Sequence, residues 1–286
     1  MEAKLGIIGG TGFYDLVGLG ESKHITLKTP FGDASDDFSI GKINGREIVF
    51  IPRHGRNHTI LPDKINYRAN VWGLKKLGVT HVITISAVGS FQEEIEPGSI
   101  IFIDQYLDRT KEQGSDTFFD QGAAVHISFG DPVCPCIHGQ LIGIAKEQGV
   151  RYTENGSYVN IQGPAFSTRA ESNLYRSWGM SVVGMTNMYE ARLCREAELH
   201  FGTIAQVTDY DSWKEEAVNV PAIVVNLKKS LESAGKVVAG FIEKFPFPEC
   251  QCDCSNALKP AIYSDIKLLS PALKERYSLL LEKYYP

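Results

Sequence analysis

The stretch HVITISAVGS, His81–Ser90, constrains the fold more than any other part of the sequence. It is an unbroken run of β-branched and small residues with no polar alternation, and a strand of that kind has to be covered on both faces. LGIIGG, SIIFIDQYLD, SYVNIQGPAF, SVVGMT and HFGTIAQVTDY read as further strands. Between them lie segments with helical spacing: Ile65–Val79, closing on Gly78, then 139–149, 168–178 and Tyr189–Glu198. Asn44-Gly45 between two apolar runs predicts a hairpin. VNVPAIVVNLKKSLESAGKVVAGFIEKF reads as one or two helices, and an amphipathic helix is predicted over Pro271–Tyr284. Strands and helices alternate with no linker and no internal repeat, so residues 1–245 are expected to form one α/β domain with covered sheet faces. Residues 246–286 read as an appendage, with a cysteine-rich turn and the final helix.

The net charge of −5, with no run of Lys or Arg, argues against a nucleic-acid partner, because phosphate-backbone binding needs clustered positive charge. No window approaches the roughly 20 apolar residues of a membrane span. The sequence runs straight into a strand, no signal peptide is read, and a cytoplasmic location is expected. The six cysteines are Cys134 and Cys136 in PVCPC, Cys194, and Cys250, Cys252 and Cys254 in ECQCDC. C-x-C spacing without a neighbouring His does not make a zinc site, so no metal is expected. Free thiols are the ordinary reading, with a disulfide among the three tail cysteines as the alternative.

Glycines at 6, 9, 10 and 12 follow the first strand. The spacing is not G-x-G-x-x-G, and a hairpin stands where a dinucleotide fold needs a crossover helix. A turn of free N–H groups with the Thr11 hydroxyl suits a single phosphate instead. Arg53 and His54 follow another apolar strand and supply donors for phosphate oxygens. Ser86 and Ala87, and later Met185 and Thr186, occupy strand ends where ligands of open α/β sheets collect. In VTDYDSW, Asp209 and Asp211 stand two apart and face one side if the strand continues. Repulsion between them would let one keep its proton and serve as an acid. No EF-hand pattern surrounds them, so no metal is expected here either.

Together, GIIGGTGFYD, TPFG, PRHGRNHT, NYRANVWGLKKLG, SAVGS, IDQYLDRT, QGPAFSTRAES, GMT and TDYDSWKE resemble the 5′-methylthioadenosine phosphorylases, a branch of the purine nucleoside phosphorylase family, from Leu5 to about Phe245. The resemblance implies a single-domain three-layer sandwich with a central mixed β-sheet, and a trimer or hexamer. It assigns phosphate to Thr11, Arg53, His54, Ser86, Ala87 and Thr186, and the ribose to Met185. Phe166 and Ser167 would line the purine pocket, with Asp209, Tyr210 and Asp211 at the base. His126 would reach a neighbouring subunit's sugar, and Val220 and Ile223 would line an apolar 5′ pocket. In this family Asp beside purine N7 and N6 goes with 6-aminopurines, and Asn with 6-oxopurines. Two departures stand out: Gln162-Gly163-Pro164-Ala165 where the family often has Glu-Gly-Pro-Arg, and Asn187-Met188-Tyr189 where a Thr-Val-Pro type stretch is usual. Both are expected to bear on base selectivity and to leave the phosphate set untouched.

The implied reaction is phosphorolysis of methylthioadenosine to adenine and 5-methylthioribose 1-phosphate, a purine and methionine salvage step. Asp209 would protonate N7, and phosphate would be a co-substrate with no cofactor. Three alternatives stay open: a 6-oxopurine nucleoside or methylthioinosine phosphorylase, a hydrolase, and a non-catalytic nucleotide-binding module.

Overall fold

A computed structural model of the chain describes residues 4–10, 22–111, 116–214, 219–248 and 250–285. Eleven strands form a mixed sheet. They are β1 (Leu5–Gly9), β2 (Lys23–Ile25), β3 (Phe38–Ile43), β4 (Arg46–Pro52), β5 (His81–Ser90), β6 (Ile100–Phe102), β7 (Gln105–Arg109), β8 (Tyr152–Thr153), β9 (Ser157–Ile161), β10 (Val182–Gly184) and β11 (His200–Asp209). The helices are α1 (Tyr67–Lys76), α2 (Pro135–Glu147), α3 (Arg169–Ser177), α4 (Asn187–Glu196), α5 (Val220–Lys244) and α6 (Pro271–Leu281). The main path of the sheet runs β2-β3-β4-β1-β5-β10-β9-β7. A branch leaves β5 through β11 to β6 and β8.

β5 is the hub. It pairs parallel with β1 over His81–Thr84 and with β11 along most of its length, and its last residues meet β10 antiparallel. Its side chains alternate between two cores. Val82, with Ile8, Val49 and Ile51, packs under α1 and α4, whereas Ile83 and Ile85, with Ile7 and Phe50, pack under α2 and α5. Helices on both faces satisfy the requirement set by the unbroken apolar run, and the result is the expected three-layer α/β sandwich.

Three expectations are modified. SIIFIDQYLD is two strands, because Asp104 breaks the run: its carboxylate accepts the Gly156 N–H at 3.0 Å and its own N–H donates to the Gly156 carbonyl. β6 and β7 then pair with different neighbours. The segment before Phe245 is one continuous 25-residue helix. The tail beyond Phe245 is built into the body of the molecule: Leu258, Tyr277 and Leu281 are fully buried in the α1/α4 core, and Cys254 lies in the α2/α5 core.

The predicted hairpin forms, with Asn44 at φ 50° and Gly45 at φ 77°, the two positive angles that an Asn-Gly turn supplies.

Candidate active site

Arg53 follows β4 and is buried to 1% exposure. Burial works against its charge, but the Glu190 carboxylate from α4 outweighs it and holds the pKa above the ordinary value. Nε donates to Glu190 Oε1, and Nη2 donates to Glu190 Oε2 (2.9 Å) and to the Thr84 hydroxyl. Nη1 donates to the Ile85 carbonyl at 3.0 Å. Of the five N–H groups, one on Nη1 is left over. Nη1 faces Gly10, where a Cβ would come within 3.0 Å of it and 2.8 Å of the Ile85 carbonyl oxygen. The guanidinium is therefore clamped by Glu190, Thr84 and Ile85, and Nη1, with its remaining N–H, lies beside Gly10.

Sequence reasoning missed the clamp. Glu190 Oε2 also accepts from Thr84 Oγ1 (2.6 Å) and Asn187 Nδ2 (3.1 Å), and Asn187 Oδ1 accepts from Thr203 Oγ1 (2.8 Å) and the Tyr106 hydroxyl. Asn187, expected to bear on base selectivity alone, thus belongs to the network behind Arg53. The available signal was Glu190 sitting among apolar residues in the first turn of a helix that follows directly on Thr186.

His54 is buried, and its Nδ1 lies 2.8 Å from the Ile60 carbonyl oxygen. Burial, then the Arg53 charge, pushes its pKa down to about 4. The ring is therefore neutral near pH 7, with its proton on Nδ1 facing the carbonyl and a bare lone pair on Nε2. A neutral ring with its proton on Nδ1 offers Nε2 as an acceptor, where the sequence led to the expectation of a donor.

Ser86 and Thr186 come together around Tyr158. The Tyr158 hydroxyl is 3.3 Å from Ser86 Oγ and 3.5 Å from the Thr186 N–H. Gly184 admits that hydroxyl, which would lie 1.9 Å from a Cβ there. Thr186 is the N-cap of α4 and its side chain makes no capping bond, which leaves the hydroxyl uncommitted at the positive end of the helix. Ala87 is the next residue along β5. Thr11 lies outside the described residues.

The acidic pair forms differently from the strand-based expectation. β11 ends at Asp209 after a bulge in its pairing with β5, which sets Asp209 opposite Gly89. Asp211 lies in the following turn at φ 49°, a strained angle for a residue with a Cβ. Its N–H donates to Asp209 Oδ1 at 2.8 Å, so a turn, and not strand periodicity, brings the two together. Gly89 makes room for both: a Cβ there would sit 2.8 Å from Asp209 Oδ1 and 3.2 Å from Asp211 Cβ.

Both carboxyl pKa values are raised, and burial is the main cause for each. Mutual repulsion, the expected cause, is the least of the influences on Asp209. The Thr208 hydroxyl lies 2.7 Å from Asp209 Oδ2 and 3.2 Å from the Val88 carbonyl oxygen. It can donate to the ionised carboxylate, or accept from the protonated acid while donating to Val88. Either state is satisfied, with the movable proton on Oδ2.

Around Asp211 the opposite holds. Asp211 Oδ2 and the Ser167 and Ser172 hydroxyls are buried and lack well-formed hydrogen bonds, although both hydroxyls are near enough to lower the Asp211 pKa against burial. Three buried polar atoms gathered at one place, with only imperfect hydrogen bonds among themselves, can be completed by a polar ligand. Ser212 Oγ donates to the Ser167 carbonyl at 2.6 Å and ties the two segments together. Phe166, 46% exposed, stands beside Ser167, and Met185 packs on Gly163, where a Cβ would meet its sulfur at 2.5 Å. Gln162 is engaged by the Lys111 N–H at 3.0 Å.

Four further expected residues have other surroundings. The Tyr210 hydroxyl donates to the Glu93 carbonyl at 3.0 Å and its ring packs edge-on to Trp213, so its polar group is engaged outside the acidic pair. His126 is exposed and attached to the tail, its N–H donating to the Ala261 carbonyl at 2.8 Å. Val220 and Ile223 begin α5, with Val220 63% exposed. A separate cleft of about 520 Å³, lined by Phe91, Gln92, Glu93, Asn173, Arg176 and Met180 among others, contains none of the expected residues.

The two groups are spaced along one strand. Ser86 and Gly89 are three residues apart on β5, roughly 10 Å. The residues expected to hold an anion and the carboxyls expected to meet a base are thus a nucleoside's length apart.

Residues 4–243 match the Phosphorylase superfamily. An S-methyl-5′-thioadenosine phosphorylase of Geobacter sulfurreducens is 46% identical over 99% of this chain and 100% of its own length. One from Thermosynechococcus vestitus is 45% identical over 99% of this chain and 100% of its own. Among solved structures, a methylthioadenosine phosphorylase from an antarctic soil metagenomic library superimposes with a TM-score of 0.89 at 37% identity, covering 98% of this chain and 99% of that one. A mutant of the adenosine/methylthioadenosine phosphorylase from Schistosoma mansoni, in complex with methylthioadenosine, has a TM-score of 0.84 at 33% identity, covering 91% and 96%. The chain belongs to the phosphorylase superfamily, in its methylthioadenosine phosphorylase branch.

Proposed function

We propose that the chain is a pentosyltransferase that cleaves methylthioadenosine by phosphorolysis, giving adenine and 5-methylthioribose 1-phosphate. The observation that carries this reading is the cluster of incompletely hydrogen-bonded buried atoms on Asp211, Ser167 and Ser172 beside an Asp209 kept protonatable by burial. An ionised Asp211 Oδ2 accepts from the exocyclic 6-amino group, and protonated Asp209 Oδ2 gives its proton to N7. A 6-oxo group would confront the Asp211 acceptor with a second acceptor.

Phosphate, the co-substrate, is held by the remaining N–H of Arg53, by Ser86, by the Thr186 hydroxyl and by Thr11, with His54 Nε2 accepting its O–H. As the glycosidic bond stretches, positive charge grows on the ribose ring, and the phosphate anion beneath stabilises it before bonding to C1′. Proton transfer from Asp209 lets adenine leave neutral, a contribution of ~10²–10⁴-fold. These residues supply the acid and the anion site themselves, so the reaction calls for no metal or organic cofactor. Val220 and Ile223, apolar at the start of α5, suit a 5′-thiomethyl group, a preference of ~1–3 kcal/mol over a hydroxyl. A trimer or hexamer, with His126 reaching the neighbour's sugar, agrees with the exposure of that residue in the single chain. Among the described residues no helix is long and apolar enough to cross a membrane, and a cytoplasmic enzyme fits the salvage role.

The test is purine release from methylthioadenosine, adenosine, methylthioinosine and inosine, each with and without phosphate. Adenine released fastest from methylthioadenosine, and only with phosphate, is the expected result. Preference for the inosine compounds overturns the role of the acidic pair. Phosphate-independent cleavage makes the enzyme a hydrolase.

A further inference from the structure

From the geometry we infer that Cys134, His200, Cys252 and Cys254 form a structural Cys₃His site for a zinc-class divalent ion, independent of the active site. C-x-C spacing alone argued against a metal, because no His was near in sequence. The fold supplies the missing ligand. Cys134 is the N-cap of α2, His200 opens β11, and Cys252 and Cys254 come from the tail, so three distant segments meet at one point.

The donor atoms of these four residues all lie within 4.8 Å of one another. Cys134 Sγ is 3.8 Å from Cys252 Sγ, and His200 Nδ1 is 3.4 Å from each of those two sulfurs. A tetrahedral zinc site with Zn–S of about 2.3 Å and Zn–N of about 2.0–2.1 Å requires S···S edges of about 3.8 Å and S···N edges of about 3.5 Å. The three measured edges fall within about 0.2 Å of those values. Cys134, Cys136, Cys250 and Cys252 also converge, but Cys136 and Cys250 are joined as a disulfide, which leaves the set containing His200.

The surroundings fix the ligands in place. The His200 ring stacks on His81 with centroids 4.3 Å apart and planes 9° from parallel. The Cys134 N–H donates to the Phe201 carbonyl at 2.8 Å, which ties the start of α2 to the start of β11. On the tail side, the Leu258 N–H donates to Glu198 Oε1 (3.1 Å) and Lys283 pairs with the same carboxylate at 2.6 Å. Cys134 and Cys254 are buried, as closed structural sites require. On binding, the three thiols give up their protons to solvent and coordinate as thiolates. Nine residues of extended β11, roughly 30 Å, separate His200 from Asp209. The ion therefore clasps the tail to the sheet without touching substrate.

The experiment measures metal in full-length protein purified from zinc-supplemented cells under anaerobic, thiol-protecting conditions. About one zinc per chain is expected, and Co²⁺ in its place should show the visible and sulfur-to-metal charge-transfer bands of a tetrahedral thiolate site. Cys254→Ser and His200→Ala should each lower zinc at least tenfold, whereas Cys136→Ser should retain it. Chelation should lower the melting temperature of wild type and leave that of Cys254→Ser unchanged, with phosphorolysis at moderate temperature nearly equal in both. Metal-free wild type with Cys252 in a disulfide by non-reducing peptide mapping would overturn the assignment. So would zinc lost from Cys136→Ser and kept in Cys254→Ser.

Discussion

Glu190→Gln isolates the clamp behind Arg53. Wild type holds a buried ion pair with both partners close to fully covered, 1% and 2% exposed. The substitution removes the negative charge and turns one acceptor oxygen into an amide donor. That donor must face either Arg53 Nε or the three groups now meeting Oε2, namely Arg53 Nη2, Thr84 and Asn187. An uncompensated charge left after a buried pair is broken costs ~3–5 kcal/mol, and the lower end applies because Gln keeps one acceptor. At roughly 2–4 °C per kcal/mol for a domain of this size, the melting temperature in phosphate-free buffer should fall by ~6–12 °C. Phosphate then acts in the other direction. It meets a guanidinium with a full positive charge, where wild type offers an internally neutralised pair, so the phosphate-induced rise in melting temperature should be larger in the variant. Thermal melts across a phosphate titration read both effects. A melting temperature within ~2 °C of wild type, with an unchanged phosphate shift, would refute the idea that Glu190 controls the charge Arg53 presents.

Asp209→Asn should lower kcat/KM by ~10²–10⁴-fold with phosphate binding by calorimetry little changed. Because the acid form is the active one and burial raises its pKa, wild-type kcat/KM should fall as pH rises through that pKa, and the variant should lack this limb. Gly89→Ala would bring a methyl group against Asp209 Oδ1 and Asp211 Cβ, so activity should drop at least tenfold, read by adenine release, while the circular dichroism spectrum is kept. For His54, the folded pKa of about 4 lies below the unfolded value, so the unfolded chain binds more protons between pH 6.5 and 4. Its contribution is complete above pH 6.5 and declines as pH falls, by about 2 kcal/mol at pH 5. His54→Gln should flatten that part of the denaturant-derived stability profile. Glu196, raised to about 7 chiefly by burial, acts in the opposite direction over pH 7 to 4.5, so the comparison has to be between variant and wild type.

What the sequence disclosed follows the range of the interactions involved. The three-layer sandwich was legible because a strand apolar on both faces leaves few architectures, and the Asn44-Gly45 turn because its chemistry is local. The Asp209–Asp211 pair was found by motif for a reason that does not hold, since the strand ends before Asp211. Glu190 and Asn187 were not found: an acid on a helix looks like a solvated charge until the topology buries it beside Arg53. The tautomer of His54 depends on the carbonyl of Ile60 and its neutrality on burial beside Arg53, neither of which spacing reveals. The cysteine cluster depends on residues 134, 200 and 252–254 meeting through the crossing of β11, α2 and the tail, and no local window contains it.

The bare Nε2 of His54 has a consequence for which anions can enter. Monohydrogen phosphate carries an O–H and can donate to that lone pair. Sulfate near neutral pH has the same shape and charge but no proton to offer, so it would set oxygen lone pairs against the nitrogen lone pair. An unmet acceptor of this kind costs ~1–3 kcal/mol, a factor of roughly 5 to 150. Arsenate, protonated like phosphate, passes the same test. If His54, kept neutral by burial and the Arg53 charge, meets the anion in this way, it would sort tetraoxyanions by their protons and not by their size.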